Sequence, residues 1–358
     1  MAFFPLPSLS AIFFFIMSTS IYISGATGYI GGAVVAKLLS NKQFSVTALV
    51  RNQEKANKLE QYGINTVIGS LADSALIEEQ VFKHDITITA ANCDSLEEAQ
   101  AVVKGLERKY RETGQRGILV QTTGSGIVCD VNINDGNQAN EHIYSDLDTS
   151  TLNNLPITNP HRQVDTYLID HSANFDLVLI GPTTVFGEAS RTLAFNPHSS
   201  QIPWAISVSL QNNAVYQVGA GKNSWSIVHV DDLADLYSLV VEKLVRNELS
   251  ADTYLGRNGY FLPESGYYEW RQAFESIGQH LHTLGVIPSP EPHLIMDDDK
   301  FSQVYKFLPF KFGYGGNSRV SADKCRLIGW TPKHTLDDFL DDIRREAGVF
   351  AKKKGLIQ

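Results

Sequence analysis

Between Ser20 and Thr122 short apolar runs alternate with stretches of helical period. Ser20–Ser24, β-branched and aromatic, reads as a buried strand, Phe44–Val50 alternates and reads as a second, and Asn65–Ile68, Asp85–Ala90 and Gly117–Thr122 read as three more. Between them lie Ala33–Leu39, Gln53–Tyr62, a stretch that Asp73 caps and that runs through Phe82, and Ser95–Thr113 behind Asp94, all with helical spacing. Strands that alternate with helices predict parallel pairing and right-handed crossovers, hence an α/β, doubly wound sheet.

The rhythm breaks at residues 124–160, rich in Asn, Asp, Thr and Ser. A long polar excursion after a central strand is usually functional or disordered. A helix, His161–Ser172, and a strand, Phe175–Ile180, resume the pattern and stop at Gly181-Pro182. Beyond them, Pro203–Leu210 reads as a helix, Ala214–Val218 as a strand, and Val230–Val245 as a helix with Asp231 and Asp232 in its first turn, where the dipole favours acids. From about Tyr254 the chain is aromatic and irregular. The expected organisation is a dinucleotide-binding Rossmann domain over residues 17–190. A smaller C-terminal α/β substrate lobe spans 191–358, and residues 214–246 return from it to the first domain.

Composition narrows the function. A net charge of −9 without a basic stripe excludes a nucleic-acid footprint. Cys93, Cys129 and Cys325 have neither disulfide nor metal-ligand spacing, so no metal is expected, and a cytoplasmic protein fits. The stretch Met1–Met17 carries no charge, and Ala11–Met17 is continuously apolar. It lacks a basic start and an Ala-x-Ala site, and prolines interrupt it, so it reads as a disordered or unused extension (residues 1–16) rather than a signal or membrane anchor.

The strongest chemical signal is Ser24-Gly-Ala-Thr-Gly-Tyr-Ile-Gly31, where the first strand meets the first helix. Gly25 permits the tight turn, Gly28 lets backbone approach a pyrophosphate, and Gly31 lets the helix pack on its strand. Free N–H groups at the helix start then face the phosphates.

This motif is followed by Gly181-Pro-Thr-Thr-Val-Phe-Gly187, Ile227-Val-His-Val-Asp-Asp-Leu-Ala234 and Leu327-Ile-Gly-Trp-Thr-Pro332. Together they resemble the extended short-chain dehydrogenase/reductase superfamily, the NAD-dependent epimerase/dehydratase type, in an atypical fungal-type branch. The resemblance implies pyrophosphate binding at Gly25, Thr27, Gly28, Tyr29 and Ile30, with Gly31 supporting the turn. It implies adenine beside Leu71 and ribose beside Ala90, Ala91 and Asn92. NAD-specific relatives place an acid at the end of the second strand. Here Val50-Arg51-Asn52 stands there, and a guanidinium suits a 2′-phosphate, so NADP is expected, with NAD possible.

The catalytic side departs from that pattern. The superfamily uses a Tyr and a Lys four residues later on one helix, and no Tyr of this chain has Lys four residues on. Counting back from Gly181-Pro182, His161 takes the Tyr position and Asp165 the Lys position, where Asp165 could orient the imidazole. The family's Ser or Thr falls among Thr122, Thr123 and Ser125. The catalytic residues are therefore expected to be Thr123, Ser125 and His161. Thr184, Phe186, Arg191 and Arg319 are the substrate contacts the resemblance implies. His229, Asp231, Asp232 and Trp225 read as structural. The leading function is hydride transfer with a small carbonyl or alcohol. The rivals are a non-catalytic NADP-binding regulator of the NmrA-like kind and, behind it, sugar-nucleotide epimerisation. A small-molecule partner is expected and a membrane partner is not. The superfamily's helix-mediated dimers, here through Ser95–Thr113 and His161–Ser172, leave a homodimer open.

Overall fold

The computed structural model describes residues 18–189, 193, 195–306 and 311–357. The extension at residues 1–16 and Arg191 lie outside the described residues.

The first half runs β1 (Thr19–Ser24), α1 (Tyr29–Leu38), β2 (Phe44–Val50), α2 (Gln53–Glu60), β3 (Asn65–Ile68), α3 (Ser74–Lys83), β4 (Ile86–Thr89), α4 (Leu96–Thr113) and β5 (Gly117–Thr122). β6 (Tyr144–Ser145), α5 (Thr149–Asn153), α6 (Arg162–His171), β7 (Phe175–Ile180) and β8 (Thr184–Phe186) follow. Next come α7 (Gln201–Asn212), β9 (Tyr216–Val218), β10 (Ser224–His229), α8 (Val230–Val245), α9 (Ala251–Tyr254), β11 (Tyr260–Phe261) and β12 (Tyr267–Glu269). The chain ends with α10 (Trp270–Thr283), β13 (His293–Ile295), α11 (Asp298–Val304), α12 (Phe312–Gly315), β14 (Val320–Ser321), α13 (Asp323–Leu327) and α14 (Leu336–Lys353).

The main sheet has seven strands in the order β11-β7-β5-β4-β1-β2-β3. Every pairing in it is parallel, as the alternation required. The order reverses between β1 and β4, and ligands bind at such a switch point, beyond the carboxyl ends of the strands. Ile21 and Ile23 of β1 pack with Val34, Val35 and Leu38 of α1 and with Leu236, Val240 and Val241 of α8, all buried. Thus α8 packs into the Rossmann core. β9 does not: it pairs with β13 in a two-stranded sheet of the smaller lobe. The strand that does return is β11, too short at two residues to carry a periodic signal.

Helix α1 begins four residues before the expected Ala33, because Gly28 caps it and the Gly32 N–H already bonds the Gly28 carbonyl at 2.9 Å. The polar excursion is a strap rather than a free loop. The N–H of Asp130 bonds the Asn317 carbonyl at 3.0 Å, Gly136 that of Gly315 at 3.0 Å, and Tyr144 that of Arg319 at 3.0 Å. Its anchor is Asp146, fully buried, which accepts from the N–H of Lys324 at 2.6 Å, Leu262 at 3.2 Å and Cys325 at 3.3 Å. Burial pushes this carboxyl up to about 6, against the pull of those bonds. Asp146→Ala strands buried N–H donors at roughly 1–3 kcal/mol each. A clearly lower urea midpoint is expected, and an unchanged one would remove the anchor role.

Candidate functional site

At the end of β1, Gly25 has φ +84°, and a Cβ there would lie 2.4 Å from the Ala90 carbonyl group after β4. A Cβ on Gly31 would lie 2.2 Å from the Gly25 carbonyl oxygen. Only glycine fits either place. The Gly28 N–H bonds the Gly25 carbonyl at 2.8 Å and closes the turn, and no acid occupies the first turn of α1. The result is an electropositive helix start beside backbone that no side chain covers, which fits a pyrophosphate.

A groove of about 450 Å³ runs from this turn. Gly25, Thr27, Gly28, Arg51, Leu71, Ala90 and Ala91 line it, so seven of the sequence-derived cofactor residues share one wall system. The other four do not line it. Tyr29 turns its hydroxyl to the Gly187 carbonyl at 2.5 Å and ties the two loops together. Ile30 packs on the core, Gly31 supports the turn, and Asn92 accepts from the Asp94 N–H at 3.1 Å. Lys55 also lines the groove, a residue that sequence reasoning missed. Asn52 caps α2 by accepting from the Lys55 N–H at 3.0 Å, which sets Lys55 one turn from Arg51. Neither cation has an ion-pair partner among the described residues, so both are free for an anion.

The second cavity, about 600 Å³, is lined by Gly124, Ser125 and Gly126 after β5, by Pro160 and His161 before α6, and by Trp204, Trp225 and Phe312 from the smaller lobe. His161 caps α6 in the left-handed region, φ 66°. Asn, Asp and His tolerate this conformation better than most side chains. Its Nδ1 lies 2.9 Å from Asp94 Oδ1 and 3.3 Å from Cys93 Sγ. Its Nε2 rests against Gly124 and Gly126, where a Cβ would come within 2.9 and 3.0 Å of it. Nε2 has no hydrogen-bond partner among the described residues. Burial alone would lower the imidazole pKa, but the bonds to Asp94 and Cys93 and their charge raise it to about 10. The same bond to His161 lowers that of Asp94.

The orienting acid is therefore Asp94 and not Asp165. Ser95, rather than Asp94, caps α4 by accepting from the Glu98 N–H at 3.3 Å, which leaves Asp94 for the imidazole. Asp165 is fully buried and accepts from Thr123 Oγ1 at 2.8 Å and Tyr260 OH at 3.0 Å. Arg162 Nη1 donates to the same Tyr260 oxygen at 2.6 Å. Thr123 is thus committed to a buried network, and Thr122 to Tyr237 at 2.6 Å. Ser125 stays on the cavity wall, its Oγ 3.1 Å from that of Ser318.

The substrate expectations fare unevenly. Phe186 is 1% exposed, packs edge-on against His229 and Phe339, and does not line the cavity. Thr184 does not line the cavity but donates to Gln201 Oε1 at 2.9 Å, and Gln201 is a wall residue. Arg319 stacks its guanidinium 3.8 Å over Tyr267 and does not line the cavity. No metal was expected, yet Cys93, Asp94 and His161 bring three donor atoms within 4.8 Å of one another, a cluster invisible in cysteine spacing. His229 is structural as expected: its Nδ1 accepts from the Asp231 N–H at 3.1 Å, and its ring stacks on His334 at 3.5 Å. Asp232 bonds the N–H groups of Lys333 at 3.1 Å and His334 at 3.0 Å, joining α14's approach to α8 rather than capping its own helix. Trp225, expected only to pack, is held by its Nε1 on the Gly316 carbonyl at 2.9 Å and shows a face to the cavity.

Residues 25–192 match the family described as NAD(P)H-binding. The chain carries an NAD(P)H-binding domain. Along its length it is 25% identical, over 345 residues, to the oxidase ucsJ of an Acremonium species, covering 88% of this chain and 93% of that one. A UDP-glucose 4-epimerase from Thermotoga maritima, solved with UDP-glucose, superposes with a TM-score of 0.60 at 15% identity, covering 94% of this chain and 99% of that one. DesIV of Streptomyces venezuelae, a dTDP-glucose 4,6-dehydratase solved with NAD, gives 0.62 at 16% identity, covering 93% and 98%. The fold is that of the epimerases and dehydratases of the extended short-chain dehydrogenase/reductase superfamily. Among the described residues, no helix is long and apolar enough to cross a membrane.

Proposed function

We propose that this NAD(P)H-binding protein is an NADP-preferring oxidoreductase that reduces a carbonyl compound, with His161 as proton donor. The observation that carries this reading is the uncommitted Nε2 of an imidazole whose Nδ1 is held by Asp94 at 2.9 Å, on the wall of a second cavity, with Asp94 three residues after Ala91 of the nucleotide groove. Glycine backbone at Gly25 and Gly28 and the start of α1 would hold the pyrophosphate, and Arg51 with Lys55 the 2′-phosphate. A bound nicotinamide would supply the hydride.

The chain's own residues do the rest. Asp94 keeps Nδ1 protonated and fixes the ring. With a pKa raised to about 10, the imidazole is a cation near neutral pH and offers an N–H from Nε2. A cation that donates toward a carbonyl oxygen stabilises the alkoxide that forms there and then gives it a proton. Ser125 on the same wall offers a second hydroxyl. The relative named as an oxidase agrees with redox chemistry, and the missing Tyr–Lys pair argues against epimerisation by the superfamily's usual route. That same loss favours the second reading, an NADP-binding regulator without turnover. Screening aldehydes and ketones for NADPH oxidation decides: turnover that falls in His161→Ala supports the enzyme, and tight NADPH binding without turnover on any carbonyl supports the regulator.

Cofactor choice gives a separate prediction. A charge-assisted phosphate contact contributes roughly 1.5–3 kcal/mol. Calorimetry should find NADPH bound more tightly than NADH, and Arg51→Ala should erase about tenfold or more of that ratio. Equal affinity in the wild type would overturn the assignment.

A further inference from the structure

We infer that the substrate is a neutral, largely aromatic carbonyl compound and not a phosphate-bearing or nucleotide-linked sugar; the inference rests on the oxidoreductase reading. Among the described residues of the cavity wall there is no Lys and no Arg. The charged groups there are Asp94 and His161, and they are paired with each other at 2.9 Å. Among the described wall residues, an anionic group entering this cavity would meet one cation, the His161 imidazolium, whose charge Asp94 already balances at 2.9 Å, and it would approach the Asp94 carboxylate. Burying an unpaired anion is among the costliest events in a protein. Arg319, the described arginine from which substrate-phosphate binding was expected, lies over Tyr267 instead.

The apolar part of the wall is aromatic. Trp204 stands on α7 with 48% of its surface exposed, while its neighbours Pro203 and Ala205 are buried. A large exposed indole on a cavity wall is an unfilled stacking surface. Trp225 is locked in place by its bond to Gly316, and Phe312 adds a third ring to the wall. Polar capacity is limited: Gln201 commits one amide N–H to the Gly313 carbonyl at 2.8 Å and its oxygen to Thr184 at 2.9 Å. The wall's other polar side chains, Thr158, Ser200 and Ser125, are neutral hydroxyls, and His161 Nε2 is its charged donor, which matches a carbonyl oxygen on an otherwise apolar, flat molecule. Such a division of labour is usual for small-molecule sites.

The test is calorimetric titration of the NADP-saturated full chain with three probes: 2-acetonaphthone, its carboxylate analogue 6-acetyl-2-naphthoate, and UDP-glucose. The ketone is expected to bind, the carboxylate to bind at least about tenfold more weakly, and UDP-glucose not to displace the ketone. Trp204→Ala should weaken the ketone by about tenfold, and Trp204→Phe should recover most of it, since a second aromatic face replaces the first. Trp204 is surface-exposed, so both variants should fold; equal NADPH affinity checks this. The inference is overturned if the ketone gives no binding, if either anion binds as tightly as the ketone, or if Trp204→Ala binds unchanged. Ketone binding without NADPH oxidation would remove the oxidoreductase reading and leave the specificity standing. NADPH oxidation confined to anionic or sugar-nucleotide substrates would do the reverse.

Discussion

Replacing His161 by alanine is expected to lower carbonyl reduction by ~10²–10⁴-fold, the usual contribution of a placed general acid, with NADPH affinity nearly unchanged. The separation follows from geometry. His161 lines the aromatic cavity, whereas Gly25, Thr27, Gly28 and Arg51 line the nucleotide groove, and no residue lines both. Asp94→Asn should act through His161. It weakens the hydrogen bond and removes the charge by which Asp94 raises the imidazole pKa, leaves the contribution of Cys93, and keeps a hydrogen-bonding oxygen for Nδ1. Its pH profile is the diagnostic. Wild-type reduction should hold on the alkaline side until pH approaches about 10, because the raised pKa keeps the imidazole protonated below that point, and should fall as pH rises through it. In Asp94→Asn the alkaline limb should move toward the ordinary imidazole range. A wild-type limb already near an ordinary histidine pKa, or a fully active His161→Ala, would move the proton role to Ser125 or to water.

The stability linkage has the same sign. A histidine whose folded pKa is raised stabilises the fold fully below its unfolded pKa, and that contribution is lost as pH rises through the folded value. The window for His161 therefore lies between the ordinary imidazole range and about 10. His161→Gln should flatten the stability–pH curve there.

The strands of the Rossmann half were legible because each is an apolar run with a polar helix beside it, and the glycine turn was legible because three glycines serve three separate close approaches. Tyr260–Phe261 was not, since two residues carry no period and their place beside β7 depends on the Gly181 N–H meeting the Phe261 carbonyl at 2.8 Å. The partner of His161 was misread for a similar reason. Sequence spacing places Asp165 one turn away on the same helix, but the helix points it inward to Thr123 and Tyr260. Asp94 is 67 residues distant and reaches His161 only because β4 and β5 are neighbours in the sheet. Cavity character was hidden likewise: Trp204, Trp225 and Phe312 come from three separate elements, and no motif links them.

Gly25→Ala is expected to weaken cofactor binding by ~10²-fold or more. The backbone there has φ +84°, a region costly for a residue with a Cβ, at about 1–3 kcal/mol. The added carbon would also stand 2.4 Å from the carbonyl carbon and oxygen of Ala90 and 2.6 Å from the Ala91 nitrogen. All three are backbone atoms, so no side chain can rotate away. Relief requires the β1 turn and the end of β4 to part, at a further cost of roughly 1–3 kcal/mol for overpacking. That movement shifts Ala90 and Ala91, which line the groove, and disturbs the Gly28 N–H bond to the Gly25 carbonyl that closes the turn. Together these costs predict a loss of NADPH affinity of ~10²-fold or more. Most of the core lies away from the turn, so circular dichroism should still report a folded chain with a lower melting temperature. Gly63→Ala serves as the control: its φ of +78° is equally left-handed, but a Cβ there meets nothing within 4 Å. It should lose stability through backbone strain and keep its affinity. If Gly25→Ala binds NADPH as the wild type does, the turn after β1 is not where the pyrophosphate lies.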